Sequence, residues 1–449
     1  KVVRASLLRA LLLDHIEGIT ADPKGLQLAG ARITEQLDLE ACNVPVSIGL
    51  FSCLFAEDVV LVDTNIAALY LSGSHLQQID AERLLCHGPV HLRSGFQVAN
   101  GANFRRARIS GALECDGGIF NNTDGIALDC HATRIGADVF LREGFTSEGE
   151  VNLVGAEIIG QLDCTDGAFK STKGFALNCD AARIGADVFL CNEFLSAGEV
   201  ILRRAAITGQ LNCTGGTFLN ADGCALNCDA VQIGADVFLR DGFSAEGIVD
   251  FERARVEGNL QIGRAQLTGA VGIAAARIGE GLFLRELGGE VSMMDLKDTS
   301  AGVLRDDRES WKHVDSYRLQ GFRYDRVDSN MRVHERIAWL EGKDDAPLPG
   351  HEARNDPPRQ FAPQPYTWLA SVLQKEGRRQ GAVEVRFERE ARLAQVAYDR
   401  VRHERPVEPW HDLRLALAAI RFGASKLSRL VFGYGYKPIR ALWTVADAI

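Results

Sequence analysis

The sequence predicts a right-handed, four-sided β-solenoid of about 23–26 residues per coil, with a capping helix before it and a helical region after it. Three observations predict this. IGADVF begins at Ile135, Ile184 and Ile233, a fixed step of 49 residues, and QLDC at Gln161 returns as QLNC at Gln210. Apolar positions fall into columns that advance by alternating steps of 26 and 23 residues. Beside one column a second apolar residue stands two positions earlier, which is the period of a strand and not of a helix.

The first column runs Phe104, Cys130, Leu153, Cys179, Leu202, Cys228 and Phe251. The second runs Ile109, Ile135, Ile158, Ile184, Ile207, Ile233 and Val256. The third follows it by six residues as Cys115, Leu141, Cys164, Leu190, Cys213, Leu239 and Ile262, with Leu113, Val139, Leu162 and Val188 as partners two positions earlier. The fourth holds Phe120, Phe145, Phe169, Phe194, Phe218 and Phe243. Four short strands in so few residues close into a square coil if each forms one wall and stacks on the next coil at about 4.8 Å. Right-handed winding follows from the chirality of parallel crossovers. Gly136, Gly160, Gly185, Gly209 and Gly234 recur at corners, where a positive φ or a close approach is required.

The solenoid is expected over residues 26–290, roughly eleven coils, opened by GLQLAGARITEQLDL at Gly25. Between Phe51 and Pro89 the pattern leaves the register open. Residues 1–25 hold VVRASLLRALLLD, an amphipathic helix with Val3, Leu7, Leu8 and Leu11 on one stripe, suited to cover the first coil. After Leu287 the pattern turns helical, giving a helical and Pro-rich connector over 291–365 and a basic helical region over 366–449. Gln364–Arg402 reads as paired helices. His411–Val431 reads as another, with Leu413, Leu417, Ile420, Leu427 and Leu430 near one face.

Charge divides the chain the same way. Residues 26–290 hold 34 Asp+Glu against 19 Lys+Arg, net −15, whereas Arg359–Arg440 holds 16 Lys+Arg against 8 Asp+Glu. All 11 Cys lie between Cys42 and Cys228, and the odd number favours a reducing compartment. No run of about 18 apolar residues is present, so no complete transmembrane helix is expected. Lys1 stands where a Met would begin a full chain, and Ile449 falls in an apolar-leaning stretch, so a longer parent protein is expected.

The repeated Cys and Asp invite metal chemistry. Cys115, Cys164 and Cys213 share a wall but sit two coils apart, about 9.6 Å, beyond the reach of a disulfide or a shared zinc. Cys130, Cys179 and Cys228 are spaced the same way. These cysteines read as small buried hydrophobes. Asp138, Asp187 and Asp236 are also two coils apart, too far to share one ion, and read as solvated wall residues with weak pairing to Arg134 and Arg183. CALNC at Cys224 lacks a second ligand pair. HExxH, GxSxG and phosphate-loop motifs are missing, and the Gly pairs lead into no helix. No catalytic residue, metal or cofactor is assigned.

VNLVG at Val151, AEIIG at Ala156, ANFRR at Ala102 and ARISG at Ala107 resemble the pentapeptide repeat, a family of four-sided right-handed β-helices. Here only two of four faces keep the five-residue step, and the coils exceed twenty residues. YRLQGFRYDR at Tyr317, FAPQPYTWLASVLQKEG at Phe361 and GYGYKPIRALW at Gly433 resemble the C-terminal half of bacterial membrane-associated repeat proteins, some labelled oxidoreductases. In such proteins the last motif leads into membrane-spanning helices. The resemblance implies a membrane-proximal group made of Arg414, Arg421, Lys426, Arg429, Tyr434, Tyr436, Lys437, Arg440 and Trp443. Basic residues there are suited to the anionic inner leaflet.

The expectation is a non-enzymatic scaffold in the bacterial cytoplasm, attached to the inner membrane by a C-terminal segment beyond this chain. Its solenoid wall would dock an unidentified protein, and nucleic acid is not an expected partner. Two alternatives follow from the resemblances: a duplex-DNA mimic that occupies a topoisomerase, which the net −15 suits, and an oxidoreductase.

Overall fold

Each coil is a circuit of four short strands, and each strand pairs in parallel with its counterpart one coil away. In one coil the four are Ala102–Asn103, Arg108–Ile109, Leu113–Glu114 and the start of Ile119–Asp129. They align with Leu128–Asp129, Arg134–Ile135, Val139–Phe140 and Thr146–Ser147 of the next. We number these four ladders walls one to four. The computed structural model describes residues 1–15, 22–341 and 361–403, with 416–417, 419–420 and 422–423.

The corner between walls one and two shows why the chain turns. An Asp or Asn ends wall one and its side-chain oxygen accepts the N–H two residues on, as at Asp80, Asn103, Asp129, Asn152, Asn178, Asn227 and Asp250. One residue further the backbone enters the left-handed region, from Ala41 through Asp63, Arg83, Arg106, Ala132, Gly155, Ala181, Arg204, Ala230, Arg253, Ala275 and Asp298 to Gly321. That column marks about thirteen turns. Most of its members carry a Cβ, so the Asx hydrogen bond and the stacked coils hold a conformation that only Gly adopts freely.

The core fills the tube. Cys130, Leu153, Cys179, Ile135, Ile158, Ile184, Ile207, Ile233, Cys164 and Cys213 are all buried. Phe96, Phe120, Phe145, Phe169, Phe194, Phe218 and Phe243 stack with centroids 5.1–5.4 Å apart. The 26-residue coils take up their extra length between walls four and one, where register shifts fall at Asn121/Ile126, Lys170/Phe175 and Leu219/Cys224.

Two expectations are corrected and one open register is settled. Strands continue past residue 290 through Gly288–Asp295, Ser300–Asp306, Tyr317–Arg318 and Arg323–Ser329, where a helical connector was expected. Tyr317, Phe322 and Val327 keep a five-residue step there, hidden from a helical reading by the Arg and Asp between them. The register left open between Phe51 and Pro89 is the most regular of all. Leu61, Ile66, Leu71, Leu76, Ala81 and Cys86 are buried at every fifth position, and the left-handed corner moves twenty residues from Asp63 to Arg83. At the start, Val2–Arg4 is a strand paired with Arg32–Thr34, and helix α1 spans Ala5–Leu12. It buries Ala5, Leu8 and Leu12, while Leu7 is exposed, because pairing of residues 2–4 sets the helix rotation.

Helix α2 (Val333–Leu340), α3 (Gln364–Lys375) and α4 (Arg379–His403) follow the last coil. Helix α3 satisfies the open edge. Gln364 Oε1 accepts the N–H of Gly321, Glu376 Oε1 accepts that of Val327, and Trp368 Nε1 donates to the Tyr324 carbonyl. Beneath α2, Arg336 forms a buried two-pronged ion pair with Asp306, which also accepts from Trp311 Nε1. An edge paired in this way offers no template for another chain.

Candidate interaction surface

On wall three the strand period turns one residue of each pair outward. Along seven registered rungs these are Glu114, Phe140, Asp163, Phe189, Asn212, Phe238 and Gln261, and the next is Phe283. An aromatic ring therefore stands on every second rung, about 9.6 Å from the next, with a carboxylate or amide between. All four Phe rings are partly exposed.

Arginine covers three of the four. The guanidinium carbon of Arg142 lies 4.1 Å from the Phe140 ring centre, that of Arg240 4.3 Å from Phe238, and that of Arg305 4.7 Å from Phe283. Arg142 is held in place by Asp116 at 3.2 Å and Asp163 at 3.1 Å. Burial raises the Asp116 pKa while Arg142 pulls it back. At Phe189 the repeat places Cys191 where its neighbours place Arg142 and Arg240. Cys191 is buried against the Thr165 hydroxyl, so no guanidinium covers the Phe189 ring among the described residues. Phe189 is thus the bare ring in a row of capped ones.

Wall two presents a different chemistry. Its outward positions include Arg108, Arg134, Glu157, Arg183, Arg255 and Arg277. Arg134 bonds Glu157 at 2.5 and 2.9 Å, so its partner is one coil away and not the expected Asp138. Asp138, Asp187 and Asp236 are structural and not merely solvated. Their Oδ1 atoms accept the backbone N–H of Gln161, Gln210 and Asn259 in the next coil.

The thiols are held protonated by their surroundings. Burial raises the pKa of Cys115, Cys164 and Cys228, and a nearby thiol, Cys130, Cys179 and Cys213 respectively, adds to the rise. All eleven Cys are free, and nine are buried. Burial pushes the Cys179 pKa up to about 12 and Cys86 up to about 11. Among the described residues no three His, Cys, Asp or Glu side chains gather as metal ligands.

No protein-family model, curated protein or solved structure matches the chain. The expected membrane-proximal residues Arg414, Arg421, Lys426, Arg429, Tyr434, Tyr436, Lys437, Arg440 and Trp443 lie outside the described residues. Leu417 and Ile420 are described and exposed. No described helix is long and apolar enough to cross a membrane.

The Phe of each IGADVF copy is legible in the sequence as the outward neighbour of two inward residues in VFL. A column of inward residues defines the core and by its nature omits the aromatic between them. A large apolar side chain on an outward strand position, repeated on alternate rungs, was the available signal.

Proposed function

We propose that the solenoid is a non-enzymatic scaffold whose third wall docks a protein partner, and that the basic C-terminal region holds the molecule at an anionic membrane. The outward Phe140–Phe189–Phe238 row carries this reading. Aromatic and Arg side chains dominate the energetics of protein interfaces, and their strongest members lie centrally among residues that exclude water. Phe189 is bare and central, flanked by two rings that arginines already cover. The fitting occupant is a protein that lays an apolar or aromatic side chain on Phe189. The packed core supports the same reading, because side chains fill the tube that a substrate would otherwise enter. The arginine row on wall two weighs against duplex mimicry.

A photo-crosslinking phenylalanine at position 189 is expected to yield one discrete protein adduct in cells, and the same probe at Gln232 none. Phe140→Ala and Phe238→Ala should lower the yield. No adduct, or the same adducts from both positions, would refute docking on this wall. Flotation of the chain with liposomes tests the membrane part. Binding should rise with anionic lipid and fall with salt, and indifference to lipid charge would count against it.

A further inference from the structure

Wall two of this acidic solenoid carries a groove in which positive charge collects. Residues 26–290 are net −15, yet Arg106, Arg108, Arg134 and Arg183 line a single open groove of about 290 Å³ with Glu157 as the one acid among them. Arg134 is consumed by Glu157. Among the described residues Arg106, Arg108 and Arg183 have no acidic partner, so three positive charges are in excess.

The register explains how this arises. Arg108 and Arg134 are aligned on neighbouring strands, about 4.8 Å apart, where like charges repel. Arg183 stands one rung beyond Glu157. The corner residue supplies the third charge. At equivalent corners Arg204 is bound by Asp180 and Arg253 by Asp229, each acid lying 24 residues earlier. For Arg106 that position is Glu82, whose carboxylate is held by Arg83 at 2.7 Å. The acid that would neutralise Arg106 is therefore already taken.

We infer that this wall-two groove binds a compact oligophosphate group, a diphosphate or triphosphate. All four cations are Arg, whose planar fork gives paired hydrogen bonds to phosphate oxygens. The space is at the small end of ligand sites, so about three negative charges must sit within a few ångströms of one another. A diphosphate meets that density. A nucleic-acid strand is disfavoured because no aromatic lines the groove to stack a base. The inference is independent of wall three, which forms a different ladder.

Calorimetric titration of the full chain with inorganic pyrophosphate tests it. One saturable site per chain is expected. Arg108→Ala and Arg183→Ala should each weaken binding at least tenfold, and Glu157→Gln should strengthen it. Arg255→Ala and Arg277→Ala are the controls, an aligned pair on the same wall whose corner Arg253 is already bound to Asp229, and they should leave binding unchanged. All these side chains are exposed or at the surface, and circular dichroism would show that the variants keep their fold. Absence of a saturable site, unchanged binding in Arg108→Ala and Arg183→Ala, or citrate binding as tightly as pyrophosphate would overturn the assignment.

Discussion

Glycine has two distinct duties in this solenoid, room for a neighbouring coil and left-handed backbone. Gly136, Gly185 and Gly234 are not left-handed. A Cβ on them would lie 2.1–2.3 Å from the carbonyl oxygen of Ser110, Ile159 or Thr208 in the preceding coil, so the requirement is room and not φ. Gly185→Ala should destabilise by about 1–3 kcal/mol, since backbone must move to admit the methyl group. Ala181 presents the reverse case, held at φ 56° with its Cβ in place. Ala181→Gly should be neutral or stabilising by up to about 1 kcal/mol, because relief of left-handed strain competes with the added freedom of the unfolded chain. Urea melts of both variants would check the contrast, and a more stable Gly185→Ala would contradict the crowding. Asp187→Ala should cost about 1–3 kcal/mol by leaving the Gln210 N–H without its acceptor. The sequence repeats all three residues at the step of 49 but does not say which hold a corner and which face water. That depends on the neighbour one coil away, some 23 residues distant in the chain.

At the scale of elements the decisive features are the ends. A stack of parallel coils exposes unpaired N–H and C=O groups at its last rung, which invites further stacking. Here α1 and α3 cover those groups from opposite ends, the first through Arg9 Nε on the Asp38 carbonyl at 2.8 Å, the second through Gln364 and Glu376. Helix α2 is fastened by one buried ion pair, Arg336 at 4% and Asp306 at 0% side-chain exposure. Removing one partner leaves a buried charge alone, so Arg336→Ala should cost about 3–5 kcal/mol. The expected consequence is loosening of α2, measured by urea melts and by amide exchange of Val333–Leu340. A variant as stable as the parent would show that the pair does not hold α2. The capping helix at the start was legible from its amphipathic stripe, whereas the capping role of α3 was not, because its contacts reach back some 43–49 residues to the last coil. The helix α1 face was not, because Val2–Arg4 joins a ladder whose partner strand begins at Arg32.

The molecule as a whole behaves as a rod in which each coil touches its neighbours, so effects repeated in every second coil accumulate. The buried thiols are such an effect. Desolvation raises Cys130 and Cys179, and Cys86 in an earlier coil likewise. An unfolded thiol loses its proton near about pH 8.5, whereas folded Cys179 holds it to about 12. The native state then binds more protons than the unfolded one, and stability must fall as pH rises through that window. Urea midpoints under reducing conditions should be level below about pH 8 and decline above it, with a shallower decline in Cys179→Ala. An equal slope in that variant would assign the loss to other groups.

Periodicity alone determined that this chain is a parallel solenoid, which side chains enter its core between Phe104 and Ile262, and that both ends need covers. Those properties depend on residues two or five apart, or on a repeat long enough to see. Only the folded structure decided where the coils stop, that Phe189 stands bare on its wall, and that Arg106 lacks an acid where Arg204 and Arg253 have one. Each of these turns on which side chain sits one rung away, and a rung is a distance across the ladder that varying coil lengths conceal along the chain.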